Sequence, residues 1–149
     1  MRDRPLVARR GVRVAEVTLQ LQNLAQELHI TPCERKNAEP RPQLLRAAVM
    51  LIEQPELIRQ VHLDYFLAGA DVATTSSYQA TFEAFGQRGY SVEESADLMR
   101  RSITLACEAR DAFWADTANR QGRHKPLVAA SVGPYGAMLA NGSEYTGYQ

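Results

Sequence analysis

The chain has 149 residues and a formal net charge of zero, with 17 basic and 17 acidic side chains. That balance excludes the basic surface of a nucleic-acid binder, and the length holds one domain at most. No apolar run approaches the ~20 residues of a membrane helix, and two cysteines, Cys33 and Cys107, are too few for a disulfide framework. Hydrophobic residues at 45% and charged residues at 23% fit an ordinary globular chain. A cytoplasmic, reducing setting is therefore expected, with no nucleic-acid and no membrane partner.

Residues 1–43 carry the weakest pattern. Arg2, Arg4, Arg9, Arg10 and Arg13 face a single acid, Asp3, and read as a solvated tail. A transit peptide would need an apolar or Ser-rich segment to complete it. Val14, Val17, Leu21, Leu24 and Leu28 then recur at helical spacing. Richness in Gln, Glu, Ala and Leu favours a helix there, although Val17, Leu19 and Leu21 also alternate as a strand would. The helix should end near His29, ahead of Thr31-Pro32. The charged stretch 34–42, with two prolines, reads as a linker.

The stretch 53–81, EQPELIRQVHLDYFLAGADVATTSSYQAT, organises the chain. Pro55 suits a first helical turn. Ile58, Val61, Tyr65 and Ala68 make an apolar stripe, and Gly69 fits the left-handed position past a helix end. His62 reads as a packed side chain rather than a metal ligand, because no second ligand stands at i+3 or i+4. A short strand is predicted over 71–75. Ser76, Ser77, Tyr78 and Gln79 follow at its C-terminal end, where parallel α/β folds bind ligands. The stretch 80–86 predicts a short helical turn, with Phe82 and Phe85 covering the sheet.

Ser91 opens a second long helix with a capping box to Glu94. Leu98, Ser102, Leu105 or Ala106, Ala109 and Phe113 form its buried stripe. Cys107 reads as an inert small apolar side chain and Trp114 as a packing residue. The stretch 118–125 is a polar loop, with His124 and Lys125 in a solvated turn. PLVAASV, 126–132, predicts the next strand, and the strand–helix–strand path is a βαβ unit. Gly133, Pro134, Tyr135 and Gly136 turn at its end, and Asn141-Gly142 makes a tight turn beyond. Polar strand ends and Gly-Pro turns occur across α/β folds, so a ligand pocket and a plain pair of turns both remain open on these residues alone. No phosphate loop, nucleophile elbow or His-rich metal motif is present.

Two segments carry a resemblance. PELIRQVHLDYFLAGADVATTSSYQAT resembles the first helix and second strand of the homocysteine S-methyltransferase family, and VAASVGPYGAMLANGSEYTG is similar to its third strand and following loop. The likeness runs over roughly 45–147. It implies an α/β fold, a partial (β/α)8 TIM-type barrel from the first helix to the third strand. A whole barrel takes about 250 residues, so the expectation is an incomplete one. Residues 1–43 would be a divergent segment with one helix and a linker, and 44–149 a truncated homocysteine-binding barrel domain.

The resemblance also implies chemistry. The family moves a methyl group from a methylsulfonium donor such as S-methylmethionine to homocysteine, giving methionine. Zinc held by three cysteine thiolates stabilises the homocysteine thiolate. Those cysteines are expected beyond residue 149, and neither Cys33 nor Cys107 matches them. His29 and Cys33 are four apart, but Pro32 separates them. The family's Asp-Gly turn after its first strand has no counterpart, so that strand and the first substrate loop are expected to be missing. A pocket Trp of the family falls at Arg46, between Leu45 and Ala47. Substrate contacts are expected from Ser77, Tyr78, Gln79, Gly133, Pro134 and Tyr135, with no catalytic residue and no bound metal. The expected outcome is a chain inactive by itself. The alternative is a non-catalytic piece that assembles with a partner chain supplying the rest of the barrel.

Overall fold

The computed structural model describes residues 12–15, 46–136 and 145. Three short parallel strands form one sheet in the order β1-β2-β3. They are β1 Val14–Ala15, β2 Val72–Thr74 and β3 Leu127–Ala129. Val14 pairs with Val72 on one side of β2, and Val72, Ala73 and Thr74 pair with Leu127, Val128 and Ala129 on the other. Among the described residues four helices accompany them: α1 Arg46–Glu53, α2 Pro55–Leu67, α3 Phe82–Gly86 and α4 Val92–Ala115. A 3-10 turn, Thr117–Arg120, leads from α4 toward β3.

The β1 strand corrects two expectations. A helix was expected from Val14 onward, and a first strand was expected to be missing. Val14 and Ala15 instead lie in the sheet, beside the start of β2. Main-chain bonds set this: Asp71 N and Val72 N donate to Arg13 O at 2.8 and 3.2 Å, and Arg13 N donates to the Asp71 carboxylate at 3.0 Å. Pairing with a formed strand overrides local helix propensity. The rest of the expected helix, the linker and Cys33 lie outside the described residues.

Helix α2 starts with Pro55 in its first turn, as expected, and ends in a Schellman motif. Gly69 N donates to Phe66 O at 3.0 Å and Ala70 N to Tyr65 O at 2.9 Å. Gly69 has φ +104°, which only glycine adopts without strain. A side chain there would also collide with the Arg13 guanidinium. The buried face is shifted from the predicted one. Ile58, His62 and Phe66 are buried, Val61 and Tyr65 are half-buried at the flank, and Ala68 is exposed. The large Phe66 ring decides the rotation, because it packs on Phe113 of α4 with centroids 5.9 Å apart.

That rotation buries His62 completely, with neither ring nitrogen hydrogen-bonded among the described residues. Desolvation lowers its pKa from 6.5 to about 4, so the imidazole is neutral near pH 7.

Helix α4 has both arms of the predicted capping box. Glu94 N donates to Ser91 Oγ at 3.1 Å, and Ser91 N donates to Glu94 Oε2 at 2.7 Å. Ser95, Ser102, Leu105, Ala106, Ala109 and Phe113 are its buried residues, while Leu98 is only half-buried. Small residues on this face let α2 approach closely. One core cluster joins Met50, Leu51, Ile58 and Leu105; a second joins Phe66, Ala70, Ala73, Ala109 and Phe113. Ala73 therefore faces the helix layer, and the strand alternation turns Val72 and Thr74 to the other face of the sheet.

Two further expectations change. Phe85 is buried against Tyr90, but Phe82 is exposed. The predicted strand 126–132 is paired only over Leu127–Ala129, and Leu127 and Val132 are 65% and 88% exposed. Among the described residues no strand pairs with the outer edge of β3.

The start of β2 is fastened by charge. Arg123 donates through Nη1 to Phe66 O at 3.0 Å and through Nη2 to Ala70 O, just past the end of α2. Its guanidinium lies 4.9 Å from the Phe113 ring centroid and 3.6 Å from Asp71. The polar loop thus holds a nearly buried anchor in Arg123, while His124 and Lys125 beside it are exposed as expected. Lys125, next to it, pairs at the surface with Asp111 at 2.7 Å.

Candidate functional site

The opposite end of β2 carries the predicted site. Thr75 continues the ladder, donating its N–H to Ala129 O at 3.0 Å. Residues 76–79 then turn back. Thr75 and Ser76 are buried, and Ser77, Tyr78 and Gln79 are half-buried. Across from them, β3 runs on through Ser131 to Gly133, Pro134 and Tyr135.

Three hydrogen bonds tie the two strand ends together. Ser131 N donates to Thr75 Oγ1 at 2.9 Å, Ser77 Oγ donates to Ser131 O at 2.8 Å, and the two hydroxyls lie 2.7 Å apart. Gly133 then lies directly against Tyr78. A Cβ added at Gly133 would overlap the Tyr78 carbonyl oxygen and come within 3.2 Å of its ring. Only glycine permits that approach.

Of the six expected contact residues, Ser77, Tyr78 and Gly133 are thus brought into one structure. Gln79 flanks them, half-buried, while Pro134 and Tyr135 are exposed at the rim. Thr75 and Ser131 were missed as partners, since nothing local to either residue signals a bond across 56 positions. Ser76 adds a buried hydroxyl with no hydrogen-bond partner among the described residues.

The chemistry of this site is that of a neutral cradle. No Asp, Glu, Lys or Arg occurs over 72–82 or 126–136. The turns offer hydroxyls, main-chain groups and aromatic faces, groups of a kind that can orient a small polar molecule. They offer no general base and no activated nucleophile. The zinc that the resemblance implies for the family finds no matching donor set here. Among the described residues no three His, Cys, Asp or Glu side chains group closely enough to hold a metal. Cys107 sits half-buried within α4.

The model of the homocysteine S-methyltransferase family matches residues 18–149. The chain belongs to that family. A homocysteine S-methyltransferase of Bacillus subtilis, YbgG, is 55% identical over 117 residues, covering 78% of this chain and 37% of the relative. Homocysteine S-methyltransferase 1 of Arabidopsis thaliana is 54% identical over 106 residues, covering 70% of this chain and 32% of the relative. Among solved structures, the metallated form of the homocysteine methyltransferase MmuM from Escherichia coli superposes with a TM-score of 0.70 at 41% identity. That superposition covers 98% of this chain and 46% of MmuM. The chain therefore spans about a third of the length of the curated relatives it matches. The described part of the chain is mixed α/β, with a parallel sheet and helices packed on it. No helix among its described residues is long and apolar enough to cross a membrane.

Proposed function

We propose that this chain supplies the opening units of a (β/α)8 barrel of the homocysteine S-methyltransferase type, with its barrel portion over 44–149. The turns after β2 and β3 form part of the wall that receives homocysteine, through Ser77, Tyr78, Gln79, Gly133, Pro134 and Tyr135. The full reaction of such a barrel is methyl transfer from a methylsulfonium donor, S-methylmethionine, to homocysteine in the cytoplasm, yielding methionine. This chain contributes binding and orientation to it. Thiol activation is not assigned to it, because the donor set among its described residues does not fit zinc and its strand ends hold no base. The observation that carries the reading is the locked pair of uncharged turns at the ligand-binding end of a parallel sheet.

A second reading has its own support. Parallel sheets are normally covered on both faces and edges, yet Leu127 of β3 and Val132 beyond it are exposed, beside an edge with no strand partner among the described residues. A partner chain carrying further strands of the same barrel would cover them.

One experiment addresses both. The purified chain is incubated with S-methylmethionine, homocysteine and zinc, alone and mixed with the complementary later part of the Bacillus subtilis relative. Methionine is expected only in the mixture. Methionine from the chain alone would contradict the division of labour; none from the mixture would reject assembly.

A further inference from the structure

Ser131 is gripped at both of its main-chain groups by side chains from the end of β2. Each hydroxyl in this arrangement has a single hydrogen. Ser77 gives its hydrogen to Ser131 O. The 2.7 Å bond between the hydroxyls is therefore donated by Thr75. Thr75 in turn accepts the Ser131 N–H. The ring runs in one sense, from Ser131 N–H through Thr75 and Ser77 back to Ser131 C=O. Bonds chained this way polarise and strengthen one another.

We propose that Thr75 and Ser77 are positioning residues, which set the separation of the two strand-end turns and hold Gly133 against Tyr78. The proposal rests on the reading of those turns as part of the homocysteine pocket. Three observations carry it. Thr75 is fully buried, and both hydrogen bonds of its hydroxyl lie within this ring. Both hydroxyl hydrogens are engaged, so Ser77 holds the turn rather than donating to a ligand. The Gly133–Tyr78 approach lies two residues past Ser131, so a slip at Ser131 carries directly into the pocket wall.

Amide hydrogen exchange by NMR on the 149-residue chain tests this, with homocysteine affinity as a second readout. Thr75→Val keeps the shape and removes the hydroxyl; Thr75→Ser keeps the hydroxyl; Ser77→Ala breaks the ring at its other member. In Thr75→Val, which removes the acceptor of the Ser131 N–H, that amide should exchange about tenfold faster, the loss of one hydrogen bond; in Ser77→Ala, which frees Ser131 O but leaves that acceptor, the rise should be smaller and in the same direction. The Ala106 amide in α4 should not change. Homocysteine binding should weaken by a similar factor, and Thr75→Ser should restore both. Unchanged exchange at Ser131, or an equal rise at Ala106, overturns the proposal. So does faster exchange at Ser131 with undiminished affinity. If the wild-type chain binds no homocysteine, the pocket reading fails, while exchange at Ser131 still decides whether the hydroxyls position the turns.

Discussion

At the start of β2, Asp71 lies between Arg13 and Arg123, and Arg123 also takes up carbonyls at the end of α2. At the finish of β2, four and six residues after Asp71, Thr75 and Ser77 hold Ser131 through hydroxyls alone. One end is charged and stacked on an aromatic ring. The other is neutral and opens to a rim of exposed residues. In the barrel we propose, the N-terminal face would serve stability and the C-terminal face would serve ligands. The contrast teaches how that division is made physically. Charge-assisted bonds are about twice as strong as neutral ones, and under the proposed function they stand at the end where nothing has to bind. Neutral bonds hold the end where a ligand's own charge would otherwise meet competition.

The contrast can be broken most forcefully at Arg123. Arg123→Ala removes two charge-assisted bonds, the Asp71 pair and the contact with Phe113. Each charged hydrogen bond contributes about 1.5–3 kcal/mol, so a loss of about 4 kcal/mol is expected in urea unfolding. Arg123→Lys should recover little of it, because an ammonium cannot reach two carbonyls and stack at once.

A pH titration comes next and probes the helix layer, away from both ends. The His62 pKa falls from 6.5 to about 4 on folding, so the unfolded chain takes up the proton first. Stability from this group is complete above pH 6.5 and declines as pH falls toward 4. The difference corresponds to about 3 kcal/mol. In His62→Met, unfolding curves between pH 7 and 4 should show a smaller loss by that amount.

Gly133→Ala sharpens the comparison at the neutral end. Its Cβ must displace Tyr78 or the turn itself, at a cost of about 2 kcal/mol. The same change should disturb the Tyr78 amide resonance and leave that of Arg123 in place. Ser91→Ala, at the cap of α4 and outside both ends, should cost only about 1 kcal/mol by thermal unfolding.

What the sequence made legible was local. Pro55 and Gly69 bracket α2, and Ser91 and Glu94 open α4, because each signal spans a few residues. The order β2, α4, β3 followed from apolar periodicity, and the strand-end turns from their Ser, Tyr and Gly-Pro content. The rest depends on distant partners. Arg123 finds Phe66 across 57 positions, and Thr75 finds Ser131 across 56. Val14–Ala15 is a strand only because β2 is there to pair with it. The shift of the α2 face from Val61 and Tyr65 to His62 and Phe66 was set by the Phe113 ring, on another helix.

The central claim is that ligand recognition belongs to the neutral end of β2 and stability to the charged end. An amide-resolved NMR titration of the 149-residue chain with L-homocysteine tests it most directly. Perturbations should gather at residues 76–79, Gly133 and Tyr135, with Asp71 and Arg123 unmoved. Perturbations confined to Asp71 and Arg123, or none at saturating homocysteine, would contradict it.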